Sequence, residues 1–335
     1  MNFGIYTLND NENYGNRLQN YAVQYIFGQY GNVFNMNELF SDNKVRIKYA
    51  LWKLTGGSIE RIFRNKNYRI YRSIDFNRKL NYNKKSADYY IYGSDQIWNP
   101  FYAEKFFIDP VTPKEKNIAF CASIGMDNIP KEYENLFSEG LKKFTYVSVR
   151  EKSAVDIVTK YRGYSPEILL DPTMYLTAKQ WRSIERKPKV VIPEKYILVY
   201  FLGEYEKQKI YDFAAIKNIP IIDLSERECA GKFSPEEFLY LIDNAFYVIT
   251  DSFHASVFSI IFRKRFSVSG RKDNDISMNS RIHTLLERFD MQEHFVKGDM
   301  LYCMDEIPDV TGVLEYERNR TDEFIRKATG INKKE

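Results

Sequence analysis

Phe246-Tyr247-Val248-Ile249-Thr250-Asp251-Ser252-Phe253-His254-Ala255-Ser256-Val257-Phe258-Ser259-Ile260-Ile261-Phe262 contains a strand, a turn and a helix in direct succession. Tyr247 to Thr250 is a short run of aromatic and β-branched residues, which reads as a buried strand. Asp251 and Ser252 supply N-cap candidates, and apolar side chains follow at helical spacing. His254 falls in the first helical turn, just past the carboxyl end of the strand. Open α/β sheets bind ligands at that edge, and a helix N-terminus there favours anions. One of only three histidines in the chain occupies the position.

Outward from this unit, the same strand-to-helix rhythm recurs. Tyr196 to Leu202 and Ile219 to Leu224 read as strands, with Tyr205 to Ala215 a helix between them. Ser234-Pro235-Glu236-Glu237 is a helix start with Ser as N-cap, Pro at the first helical position and Glu three residues on. Arg265 to Val268 is a further strand, Ser280 to Phe289 a helix, and Val313 to Ala328 a closing amphipathic helix. Toward the N-terminus, Phe3 to Leu8 is a strand, Asn9 to Gly15 a polar turn, and Arg17 to Phe27 a helix. Tyr89-Tyr90-Ile91-Tyr92, Asn117 to Ala122, Tyr146 to Val149 and Glu167 to Leu170 complete the strands. Arg186 to Glu194, with Pro188 and Pro193, reads as a linker. The division expected is 1–185 and 195–312, each Rossmann-like, with a C-terminal helix over 313–335 packing back on the first half. The two sheets are expected to face each other across a cleft.

Length and composition agree with that division. At ~150 residues per domain, 335 residues accommodate two cores. A hydrophobic fraction of 44% with 28% charged is that of a globular chain. No apolar run approaches the ~18 residues that span a bilayer. Met1-Asn2-Phe3-Gly4-Ile5-Tyr6 lacks a basic leader, and Cys121, Cys229 and Cys303 lack metal-ligand or disulfide spacing, so a reducing cytoplasm is expected. Net charge is +4, but 41–87 carries thirteen Lys and Arg against three acids. Tyr49, Trp52, Phe63, Tyr68, Tyr71, Phe76 and Tyr82 are threaded through this basic segment. It reads as solvated helices with an aromatic packing face, or as a surface for an anionic membrane. No nucleic-acid motif accompanies it, so nucleic acid is not an expected partner.

Candidate chemistry collects at strand ends. Arg150 directly follows a strand, where a guanidinium can take a carboxylate or phosphate or form an ordinary ion pair with Glu151. Arg281 begins a helix against the macrodipole, which points to an anionic partner. Asp95 in Gly93-Ser94-Asp95-Gln96 fits a general base or an Asx turn. His283 and His294 stand apart from such positions. With dispersed histidines and cysteines, no dedicated zinc site is expected. The absence of a Gly-x-Gly-x-x-Gly after the first strand and of a Gly-x-Ser-x-Gly elbow argues against a nicotinamide dehydrogenase and an α/β-hydrolase.

Five ordered stretches resemble the polysaccharide pyruvyl transferase family. They are Gly4-Ile5-Tyr6-Thr7 with Asn13-Tyr14-Gly15-Asn16-Arg17-Leu18-Gln19; Tyr92-Gly93-Ser94-Asp95-Gln96-Ile97-Trp98-Asn99; Val147-Ser148-Val149-Arg150-Glu151; Leu170-Asp171-Pro172-Thr173; and Thr250-Asp251-Ser252-Phe253-His254. The resemblance implies a glycosyltransferase-B-like pair of Rossmann-type domains. It also implies transfer of the enolpyruvyl-derived group of phosphoenolpyruvate onto two hydroxyls of a sugar, giving a pyruvate ketal. Phosphoenolpyruvate would be a co-substrate, with no cofactor or metal required. The acceptor would be a sugar of a surface polysaccharide or its lipid-linked precursor, handled at the cytoplasmic membrane face. By that resemblance Arg150 and His254 match positions tied to binding and activating phosphoenolpyruvate, with Arg281 a looser match. The chemistry of the donor then gives His254 the acid role, Asp95 the base on the acceptor side, and Arg150, Arg281 and Ser252 the donor side. Asn13, Tyr14, Gly15, Ser94 and Gln96 line the acceptor side. Many members carry Gly where this chain has Ala255, and some carry Arg where it has Ser252. Arg263, Lys264 or Arg271 are the cations available to replace that arginine.

Two rival readings make different predictions. A nucleotide-sugar glycosyltransferase on the same architecture would be stabilised by a nucleotide diphosphate. A non-catalytic carbohydrate-binding protein would bind glycan, release no phosphate and tolerate loss of His254.

Overall fold

The computed structural model describes residues 1–8, 13–36, 54, 76, 86–107, 113–225, 232–271, 279–296 and 306–334. Most of the basic segment 41–87, together with Cys229 and Cys303, lies outside the described residues. The strands β1 (Asn2–Tyr6), β2 (Asn32–Asn35), β3 (Tyr89–Tyr92), β4 (Asn117–Ala122), β5 (Tyr146–Val149) and β6 (Glu167–Ile168) form one sheet in the order β2-β1-β3-β4-β5-β6. A second sheet contains β7 (Ile197–Tyr200), β8 (Ile221–Asp223), β9 (Tyr247–Thr250), β10 (Phe266–Ser269) and β11 (Phe295–Val296), in the order β11-β10-β9-β7-β8. Every neighbouring pair in both is parallel.

Parallel strands need crossover helices, and these cover the sheets. They are α1 (Tyr14–Gly28), α2 (Pro100–Phe107), α3 (Glu134–Leu141), α4 (Lys152–Arg162), α5 (Ala178–Arg182), α6 (Lys207–Lys217), α7 (Pro235–Asp243), α8 (Phe253–Ile261), α9 (Ser280–Arg288) and α10 (Thr311–Thr329). α7 starts as its sequence dictates, with a complete Ser234–Glu237 capping box and Pro235 at the first position. α1 begins earlier than expected. The Asn13 side chain accepts from Asn16 N–H at 3.4 Å, so Tyr14 and Gly15 belong to the first helical turn and not to a preceding loop. The edge strands β2 and β11 had no sequence signal: one is flanked by asparagines and the other has two residues.

Strand order fixes where ligands can sit. In the first sheet the chain leaves β1 for β2, then returns to the opposite side of β1 with β3. The second sheet repeats the move, with β8 on one side of β7 and β9 on the other. Such reversals open a crevice beyond the carboxyl ends of the two strands concerned. The loops after β1 and β3, and those after β7 and β9, are therefore the ligand-facing ones.

The seam between the sheets differs from an open cleft. One continuous apolar cluster holds Leu18, Ile26 and Phe120 from the first half together with Leu198, Val248 and Phe258 from the second. Tyr14 stacks on Phe238 with ring centroids 4.5 Å apart. α10 packs back across the first sheet, where Asp322 accepts hydrogen bonds from Tyr30 at 2.8 Å and Tyr175 at 2.7 Å. No helix among the described residues is long and apolar enough to cross a membrane.

Candidate functional site

The loops singled out by strand order converge on a crevice of about 70 Å³. Asn13, Asp95 and Gln96 line it from the first sheet, and Ser252, His254, Arg271 and Arg281 from the second. Ser252 is the N-cap of α8, its hydroxyl accepting from Ala255 N–H at 3.4 Å. Asp251, the other capping candidate, instead accepts the N–H groups of Leu202 and Gly203, both at 2.8 Å, and so ties the loop after β7 to the loop after β9. His254 is buried in the first turn of α8, and its ring rests against Gly15 of α1. A Cβ on Gly15 would lie 2.1 Å from His254 Nδ1, so only glycine allows this approach. The other ring nitrogen, Nε2, lies 3.6 Å from Asp171 Oδ2, beyond hydrogen-bond distance, and makes no hydrogen bond.

Arg150 is held through its terminal nitrogens beneath this crevice, while its Nε makes no hydrogen bond. Its side chain is sealed from solvent, with one guanidinium nitrogen on Asp171 Oδ2 and the other 3.2 Å from Asp95 Oδ1. Asp95, at φ 67°, also accepts from Asn16 Nδ2 at 3.0 Å and from Gln96 N–H at 2.9 Å. Asp171 further accepts from the Thr173 hydroxyl at 2.6 Å. Burial alone would lower the Arg150 pKa, but Asp171, Asp95 and Glu151 hold it above its ordinary value. Burial alone would raise the Asp95 carboxyl, yet Arg150, His254 and Arg281 keep it below the usual carboxylate range. Asp171 is likewise driven well down by the charges of His254 and Arg150 against its own burial.

Arg281, in the first turn of α9, is buried with only partial compensation, from Glu151 and Asp95 at longer range. Its Nε has no hydrogen-bond partner, and no carboxylate lies within ion-pair distance among the described residues. Desolvation pushes its pKa down to about 10, with repulsion from Arg150 adding to the effect. It packs 5.6 Å from the centre of the Phe253 ring, against which Arg150 also lies at 4.8 Å. A buried, unneutralised cation beside a helix N-terminus favours an incoming anion.

Several expected roles need correction. Arg150 does not project into open space, because two carboxylates one and two strands away capture it. Asp95 is a poor proton acceptor, since both of its oxygens are engaged and its charge is stabilised. Tyr14, Gly15 and Ser94 form packed walls and no part of an open surface: Tyr14 stacks on Phe238, Gly15 meets His254, and Ser94 donates to Cys121 O at 3.1 Å. Arg263 and Lys264 follow the far end of α8, leaving Arg271, 3.7 Å from Asp251, as the replacement cation that reaches the crevice. His283 packs on Phe295, and His294 bonds Phe266 O and stacks on its ring, both away from the site. Asp171 and Asn16 stood in the family-like stretches without an assigned role, and Glu151 was expected only as an ion-pair partner of Arg150, from which it lies 4.0 Å away. Glu151 is buried and accepts from Ser123 Oγ, Ile124 N–H and Gly125 N–H, pinning the loop after β4. Besides those stretches, the signal for a role was position, since each sits at a strand end or in the first helical turn. No group of three or more metal-ligating side chains set to hold a metal ion occurs among the described residues.

A two-sheet parallel α/β chain with a crevice lined from the switch points of both sheets is a pair of Rossmann-type halves. The family model of polysaccharide pyruvyl transferases matches residues 13–272, most of the chain, and the protein belongs to that family. It is a transferase of polysaccharide pyruvylation. Among solved structures, an uncharacterized protein of Klebsiella pneumoniae aligns at 14% identity with a TM-score of 0.49, over 89% of this chain and 93% of that one. The UDP-GlcNAc 2-epimerase of Methanocaldococcus jannaschii aligns at 13% identity with a TM-score of 0.43, over 96% and 99%. A search of curated proteins finds no match.

Proposed function

We propose that the chain transfers the enolpyruvyl-derived group of phosphoenolpyruvate to two hydroxyls of a sugar, as a pyruvate ketal in a surface polysaccharide or its lipid-linked precursor. The observation that carries this reading is Arg281, a buried cation with no ion-pair partner among the described residues, beside the α8 N-terminus and His254. Phosphoenolpyruvate brings about three negative charges, and Arg281, Arg271 and the α8 N-terminus are the groups placed to receive them. Arg150 acts one layer down, holding Asp95 and Asp171.

His254 delivers a proton to the vinyl CH2 carbon, and positive charge develops at the adjacent carbon. A sugar hydroxyl attacks there, and the proton it loses replaces the one that His254 gave up. The carbon–oxygen bond to phosphate then breaks, with the electron pair leaving on phosphate. A second hydroxyl closes the ketal, its proton ending on the released phosphate. The products are one ketal and one inorganic phosphate.

The test is phosphate release from phosphoenolpyruvate with galactosyl, mannosyl and N-acetylmannosaminyl acceptors. Release with at least one is expected, and release with none overturns the reading. Thermal stabilisation by a nucleotide diphosphate and not by phosphoenolpyruvate would favour a glycosyltransferase instead.

A further inference from the structure

A second cavity of about 550 Å³ adjoins the crevice, along the free edge of β6 and between α4, α9 and α10. That volume lies within the range of small-molecule sites. Phe253 is the side chain that lines both compartments among the described residues. Their electrostatic characters are opposite. The crevice contains the unneutralised Arg281, whereas every cation lining the larger cavity already has a carboxylate. Arg150 is held by Asp171 and Asp95, Lys152 by Glu287, and both Arg288 and Arg320 by Glu317. An anion entering this cavity would have to displace one of those carboxylates.

The remaining lining is amphipathic. The Tyr316 ring, 62% exposed, and the buried Leu169 and Leu285 supply apolar surface. Thr284 and the paired charges supply donors and acceptors. A pyranose ring has the matching character, with apolar C–H faces and a girdle of hydroxyls. We propose that this cavity holds the neutral acceptor sugar, and that Phe253 divides it from the anionic donor. The assignment rests on the pyruvyl-transfer reading above, but its test does not depend on turnover.

Saturation-transfer NMR with methyl galactoside, methyl mannoside and N-acetylmannosamine reads the sugar compartment. Melting-temperature shift with phosphoenolpyruvate reads the donor compartment. In the wild type, at least one sugar should give transfer. Tyr316→Ala removes an exposed ring whose contact among the described residues is the Arg320 guanidinium, 6.0 Å from its centre, and Leu285→Trp fills the cavity. Each should reduce the sugar signal at least threefold while the phosphoenolpyruvate shift persists. Sugar signals unchanged in both variants, or absent from the wild type, overturn the proposal. A sugar signal that behaves as expected alongside no phosphoenolpyruvate shift overturns the donor reading and leaves the sugar compartment standing.

Discussion

Arg150 and Arg281 pack against the same phenylalanine ring and are both buried, yet their surroundings have opposite characters. On the first-sheet side, Asp95 and Asp171 both pair with the terminal guanidinium nitrogens of Arg150, and that region is charge-matched. On the second-sheet side, Arg281 is left without a partner among the described residues. The contrast separates what holds the site together from what makes it receptive. A paired buried arginine organises its neighbours, while an unpaired one stores an unfavourable desolvation that a ligand anion relieves.

The largest expected effect comes from breaking the finished side. Asp171→Asn leaves Arg150 with one carboxylate, and urea unfolding should show a loss of about 3–5 kcal/mol. Its pH dependence has a defined sign. The Asp171 and Asp95 carboxyls are held below their ordinary values, so the folded state binds fewer protons than the unfolded one in acid. Their contribution is fully present above about pH 4 and is lost as pH falls from there. The acid limb of a stability–pH curve should be visibly flatter in Asp171→Asn.

Next in size is His254→Ala, which should lower turnover by about 10²-fold or more, or ~2.7 kcal/mol of barrier, without a matching loss of phosphoenolpyruvate-induced stabilisation. Turnover within a few-fold of the wild type would remove His254 from the acid role. The smallest effect has the opposite direction. With its pKa pushed down to about 10, Arg281 binds its proton less well folded than unfolded, so its charge destabilises the free protein at every lower pH. Arg281→Met should raise stability by about 1–3 kcal/mol and abolish the melting shift with phosphoenolpyruvate. A destabilised variant that still responds to the ligand would erase the contrast between the two arginines.

Much of this architecture was legible in the chain. Strands with β-branched and aromatic residues ending in Asp251-Ser252, Ser94-Asp95 or Arg150-Glu151 announce parallel sheets and their ligand edge, because both signals are local. His254, Asp95, Ser252, Arg281, Asn13 and Gln96 were accordingly placed on one crevice. Capture of Arg150 by Asp171 was not legible, since it depends on β5 and β6 being neighbours in the sheet. The contact between Gly15 and His254 was equally hidden: a glycine in a polar stretch reads as a turn until the second half of the chain is docked on it. The extra turn of α1 followed from one side-chain cap, below the resolution of periodicity.

The continuous apolar seam has a consequence for how the molecule comes apart. Tyr14 inserted against Phe238, and α10 returning from the second sheet to Tyr30 and Tyr175, mean that neither half can expose its core alone without also stripping the other. The two sheets should therefore melt as one cooperative unit, which equal calorimetric and van't Hoff enthalpies would show, despite having the strand plan of two separate Rossmann folds.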